Sequence, residues 1–278
     1  MKNGRRRTGA ALGLGLGLLL AGCAADGAKV PLAPNGPETA IASAGPETVM
    51  KLAAASEAKG DVAGAAALYR RAHDIDPDAL GPAVALGRTL AVIGDAQGAA
   101  DAYGRALRLA PADAEAKRGY ANALLALDQP RLAAEEFREL LAQHPGEHRG
   151  HNGLGVALDM VGEHEAAQEE YRKGLRLAPG DATLENNLAL SLALTGDYDG
   201  AARLLAPLVR SPTAAPRTRN NLALVHGLAG RADIAAEILR RDHDEAAIRR
   251  TLAQYETLRD ATRPARAAAA FRGSAAAD

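Results

Sequence analysis

The stretch PETVMKLAAASEAKGDVAGAAALYRRAHDIDPDA, residues 46–79, decides the fold. Pro46 suits the first turn of a helix, where its missing N–H would have no partner. Leu52 and Ala53 then share one face of a helix of about fourteen residues. Gly60-Asp61 supplies the turn, because glycine accepts the positive φ that ends a helix. In the next helix Ala65, Leu68, Tyr69 and Ala72 recur at spacings of three and four, which is one buried stripe. Pro77 stops it, since proline cannot continue a helix and crowds the residue before it. A hairpin of this kind leaves one face uncovered.

The same hairpin recurs along the chain. Pro77, Pro111, Pro145 and Pro179 stand 34 residues apart, with Pro212 one short of the next place. Ala65, Ala99, Ala133, Ala167, Ala201 and Ala235 keep that period, as do Gly60, Gly94, Gly162, Gly196 and Gly230, with Asp128 in the one gap. Leu52, Leu86, Tyr120, Leu154, Leu188 and Leu222 form a further column, each followed by Ala or Gly. An aromatic column, Tyr69, Tyr103, Phe137 and Tyr171, gives way to Leu205 and Leu239. Small columns let helix backbones approach, and the aromatic column fills the space between hairpins, so the units must stack. The phase predicts five full units (46–79, 80–113, 114–147, 148–181 and 182–215) and a decayed sixth from 216. Ile248, Leu252, Tyr255 and Leu258 then mark an amphipathic helix that covers the open end. The repeat domain is expected at 46–262 and a loose tail at 263–278.

This pattern resembles the tetratricopeptide repeat (TPR). The resemblance implies an all-α solenoid, a right-handed superhelix of helix-turn-helix units, with a C-terminal capping helix. The tryptophan usual on the first helix is absent; Val49, Ala83, Lys117, His151, Glu185 and Arg219 stand there, which weakens individual units.

Composition agrees and excludes much else. Of 278 residues 67 are alanine, the strongest helix former, while only 3% are aromatic. Thirty-three cations against 34 acids, with no tryptophan, exclude a nucleic-acid binder working by a basic field and base stacking. One cysteine excludes a disulfide framework or a cysteine zinc cluster.

The first 22 residues read as an export signal. Lys2, Arg5, Arg6 and Arg7 precede an uncharged run from Ala10 to Gly22, too short as a helix to cross a bilayer core of about 30 Å. Leu20-Ala21-Gly22-Cys23 resembles the lipobox of bacterial lipoproteins, which implies cleavage before Cys23 and acylation of that residue. Cys23-Ala24-Ala25 is also small enough for an ordinary signal cut after Ala25, and a buried cysteine without a functional role is the other alternative. Loss of residues 1–22 removes four cations and no acid, leaving a net charge of −5. In the lipoprotein family an Asp after the cysteine retains the protein in the inner membrane; Ala24 stands here, so the resemblance implies the periplasmic face of the outer membrane. Residues 23–45, with Pro31, Pro34 and Pro37, are expected to form an extended tether.

No catalytic constellation, cofactor site or metal site emerges. His144, His148 and His151 gather at one junction without an acid or thiol beside them, and Pro77 breaks the Asp74-Asp76-Asp78 alternation that would begin a calcium loop. Asp78 is placed to cap the next helix. The informative polar residues lie on the first helices, which the TPR resemblance places on the concave side. Asn152, Asn186 and Asn220 recur every 34 residues, with Asn187 and Asn221 adjacent and Asn122 one turn away. Arg88, Arg118, Arg149 and Arg217 surround them. Amides pair with the main chain of an extended peptide, and arginines with its carboxylates. The alternative is that the asparagines cap helices or bond across the stack and the arginines keep the surface wet.

The run from Arg219 to Gly230, RNNLALVHGLAG, followed by Ala235-Ala236-Glu237 and Asp244-Glu245-Ala246-Ala247, sharpens the resemblance. With the lipobox, the spacer and six TPR units it is similar to the TadD family, the TPR lipoproteins of the tight-adherence (Flp pilus) assembly system. That resemblance implies a non-enzymatic scaffold for assembly and secretion of Flp pili, whose partner is an outer-membrane secretin or another pilus component. TPR pilotins of type IV pili and the TPR lipoprotein of the β-barrel assembly machine share most of these features. A hydrolase carried on helices would need a nucleophile–base pair that the chain does not display.

Overall fold

The computed structural model describes residues 44–210 and 214–275. The export signal, Cys23 and the tether as far as residue 43 lie outside them. Ala44–Asp278 is one compact unit, and the described residues contain thirteen helices and no strand. They pair as hairpins: α1 (Pro46–Ala58) with α2 (Val62–Ile75), α3 (Leu80–Val92) with α4 (Ala96–Leu109), and α5 (Ala114–Ala126) with α6 (Pro130–Gln143). Next come α7 (His148–Met160) with α8 (His164–Leu177), α9 (Ala182–Thr195) with α10 (Tyr198–Arg210), and α11 (Pro216–Leu228) with α12 (Ala232–Leu239). The last helix, α13, spans Glu245–Ala275. The expected loose tail is thus helical as far as Ala275, where the alanine run at 267–270 favours helix. The sixth unit keeps both helices, the second only 8 residues long.

Each helix packs on its neighbours in sequence. From α3 onward every first helix also touches the first helix of the next unit, whereas second helices make no comparable contact with one another. The first helices are therefore the more closely spaced row and line the inner side of the stack.

The phased columns are the core. All six alanines from Ala65 to Ala235 are fully buried, and so are the aromatic column and the two leucines that continue it. A ring of one unit reaches into the next. A Cβ placed on Gly87 or Gly119 would stand 2.9 Å or 2.2 Å from the Tyr103 ring, and one on Gly153 2.1 Å from Phe137. Glycines at these points let the inner helices close over the rings. Leu52 alone of its column is exposed, because no unit precedes it among the described residues. All three buried clusters draw on residues from Ala53 onward, so the repeat unit carries its own core.

Turns and caps follow local chemistry. Gly60, Gly94, Gly162, Gly196 and Gly230 adopt positive φ, and Asp128 takes the same conformation at φ 57° in the unit that lacks the glycine. Asp61, Asp95, Asp113 and Asp181 cap the helices that follow them. Asp78 does not: the N-cap of α3 is Ala79, with no side-chain bond.

The missing tryptophan is replaced in a way the sequence reading missed. Lys117, 7% exposed, bonds Glu139 at 2.7 Å. His151 meets Glu170 at 2.7 Å. Arg219 clasps Asp242 with Nε and an NH2 at 2.6 and 2.8 Å. In three units the vacated position thus ties the first helix to an acid on, or just after, the second. Burial alone would raise the Glu170 pKa, but bonds from Lys173 and His151 outweigh it and hold the carboxyl below its usual 4.5. A depressed carboxylate stabilises the fold above its unfolded pKa, and the benefit disappears as pH falls through the folded value. Glu170→Gln should therefore lower the melting temperature at neutral pH, and the deficit should shrink at a pH well below 4.5, as the carboxyl takes up its proton in the folded chain too. Paired thermal melts at both pH values check this.

Candidate functional site

The inner row of helices brings four of the predicted residues to one place. Arg118 and Asn122 on α5 and Arg149 and Asn152 on α7 line a hollow of about 340 Å3. His148, Asp181, Thr183 and Leu184 complete its wall. These four were not anticipated; they sit at helix starts, where the chain must turn whatever its function. Asp181 accepts the backbone N–H groups of Thr183 and Leu184 at 2.9 and 3.0 Å, so its charge serves the start of α9. Arg118 pairs with Glu147 at 3.3 Å. Arg149 is exposed and forms no ion pair among the described residues, leaving the hollow a cation that is not neutralised.

From Asn152 a relay of amides leads along the inner surface. Asn187 donates to Asn152 at 2.9 Å, Asn186 to Asn187 at 3.4 Å, and Asn221 to Asn186 at 2.8 Å. Bonds between units join residues 35 apart, so the column runs diagonally and not along the 34-residue period. Cross-stack bonding is therefore real for these four asparagines. It leaves the Asn152 amide donor available, because only its oxygen is engaged.

The remaining predicted residues lie apart. Arg88 is held by Glu57 at 3.1 Å and approaches Glu115 at 3.8 Å. Asn220 turns to His243 at 3.2 Å, toward the loop before α13. Arg217 is exposed at the start of α11. The three junction histidines go to different partners: His144 to the Ala112 carbonyl, His151 to Glu170 and the Pro145 carbonyl, and His148 to the wall of the hollow.

Beneath the groove lies a polar knot that no motif announced. Asp159 accepts from the Tyr171 hydroxyl at 3.0 Å and from Ser191 at 2.8 Å, and His164 stands 2.9 Å away. Tyr69 repeats the arrangement with Glu57 at 2.9 Å. Burial, then the neighbouring acid, raises the pKa of both phenols, so each stays a donor. Tyr103, without such an acid bond, is pushed up by burial to about 12.

Comparison with known proteins agrees with this architecture. The tetratricopeptide repeat family matches residues 84–129 and 121–182. No curated protein matches the chain. Among solved structures, PilF of Pseudomonas aeruginosa is 18% identical over 76% of this chain and 96% of its own, with a TM-score of 0.61. PilW, a widely conserved type IV pilus biogenesis factor, is 19% identical over 72% and 95%, at 0.65. MamA of Desulfovibrio magneticus RS-1 is 21% identical over 59% and 93%, at 0.54. Identities this low establish the fold alone, and that fold typically serves as a non-enzymatic scaffold for protein contacts. The phased columns, the stacked hairpins and these likenesses give the chain a tetratricopeptide-repeat fold, similar in structure to PilF and to the pilus biogenesis factor PilW.

Proposed function

We propose that this protein is a non-enzymatic scaffold, anchored in the outer membrane through Cys23, that takes part in assembly and secretion of Flp pili. It does so by holding an extended segment of a secretin or another pilus-machinery protein along its inner groove. The observation that carries the binding reading is the hollow between α5 and α7, lined by Arg149, which forms no ion pair among the described residues, and by Asn152, whose oxygen alone is engaged. Those groups suit a carboxylate or main-chain carbonyl of a bound segment. The pilus reading is supported by the resemblance of the Arg219–Gly230 run to TadD proteins and by the lipobox at Leu20–Cys23. PilF and PilW share the scaffold, and PilW is described as a pilus biogenesis factor. Mechanistically the lipid fixes the domain at the membrane, the tether sets its reach, and the groove raises the local concentration of its client.

Two experiments test the two halves. Arg149→Glu with Asn152→Ala should weaken capture of the secretin or pilus component at least tenfold without loss of helicity. Unchanged capture would remove the groove reading. Deleting the gene should abolish Flp pili and reduce secretin oligomers; normal Flp pili, or loss of type IV pili instead, would count against the assignment.

A further inference from the structure

The outer face of the stack separates its charges. In α4, α6, α8 and α10 the last two turns carry Arg105, Arg108, Arg138, Arg172, Arg176 and Arg210. None of the six forms an ion pair among the described residues. Arg108 and Arg172 bond only neutral oxygens, the Gly104 carbonyl at 3.2 Å and Gln168 at 3.4 Å. From α4 onward most acids at the same edge are already engaged; Glu185 forms no ion pair among the described residues, and Asp74, Asp76 and Asp78 at the end of α2 lie beyond the strip. Asp113 and Asp181 cap helices, and Glu147 and Glu139 pair with Arg118 and Lys117. Asp101, Glu135 and Glu169 stand one turn before Arg105, Arg138 and Arg172 on the same helices but form no ion pair with them among the described residues. A chain of net charge −1 therefore presents a strip of uncompensated guanidiniums. Leu109 and Leu177, directly after two of those arginines, are 39% and 46% exposed. A helix dipole favours a cation in its last turn, but it gives no reason for leucines beside that cation to stand in water.

We propose that this edge docks on an anionic membrane surface, with the arginines on lipid phosphates and Leu109 and Leu177 at the boundary between headgroups and acyl chains. Antiparallel pairing puts the N-terminus of α1 on the same edge as the C-termini of the second helices, so the chain enters the fold at Ala44 on the side that carries the strip. The lipobox cysteine precedes Ala44 by 21 residues, a span of at most about 70 Å, within which the domain can lie against the bilayer. Basic residues near an anionic surface each strengthen binding severalfold, and exposed leucines add area that leaves water. The low aromatic content of the chain, 3%, disfavours a nucleic acid, which would use rings for stacking.

Residues 44–278 carry their own core and omit Cys23, so sedimentation with vesicles isolates the strip from the acyl group. We expect binding to vesicles containing about one-third phosphatidylglycerol, none to pure phosphatidylcholine, and weakening as salt screens the charges. Charge reversal at Arg108, Arg172 and Arg176 (R108E, R172E, R176E) should weaken vesicle binding about a hundredfold or more. Circular dichroism and client capture by the groove should stay unchanged. Equal binding by the reversed variant, no binding to anionic vesicles, or binding to RNA but not to vesicles would each overturn the proposal.

Discussion

Phe137→Ala is expected to remove about 3–5 kcal/mol from the unfolding free energy, the usual cost of emptying a fully buried aromatic site. Phe137 is wholly buried at the junction of the third and fourth units. Its neighbours are helix backbones held apart by the ring, which cannot collapse onto the space without moving a whole hairpin. In a stack whose units contact only their neighbours, damage at one junction uncouples the two sides. Urea unfolding followed by circular dichroism should then show two transitions where the parent shows one. A single transition with a loss below about 1 kcal/mol would mean that the junction repacks.

The converse change, Gly153→Val, should cost about 3 kcal/mol or more, from overpacking and from the χ1 restriction of valine in a helix. A Cβ at this position would meet the Phe137 ring at 2.1 Å, well inside contact distance. Helix propensity opposes the loss by less than about 1 kcal/mol, so the clash decides the sign. Gly104 is the control: it is also helical, but nothing lies within 4 Å of its would-be Cβ. Gly104→Ala should stabilise the protein by about 0.5–1 kcal/mol. Opposite shifts in the urea midpoints of these two variants would separate packing glycines from incidental ones. Shifts of the same sign would refute the close approach.

The repeat was legible because it is written in residue sizes: Ala at 65 and every 34 residues after it, Gly or Asp at the turns, and a ring on each of the first four second helices. Sizes determine how near two backbones can come, and that is a local matter. Partnerships between units were not legible. Asn152, Asn186 and Asn220 share a period, yet the bonds join Asn152 to Asn187 and Asn186 to Asn221, because successive inner helices are rotated relative to one another. Lys117 and His151 looked like faults in a hydrophobic column; their acids, Glu139 and Glu170, lie 22 and 19 residues away on a different helix. A charge at a core position predicts a partner without saying which. The clustering of Arg118, Asn122, Arg149 and Asn152 was anticipated in kind, since all four lie on first helices, but Asp181 and Thr183 entered the wall through a turn whose course no spacing reveals.

The neighbour-only contacts between hairpins have a consequence for how such a protein changes over time. No strand or long crossover ties the first unit to the last among the described residues, so gaining or losing one 34-residue block alters the length of the inner channel in a fixed step and leaves the topology intact. The reach of the surface offered to a client is thus a count of blocks, open to lengthening by duplication in a way that a closed barrel or a single central sheet is not.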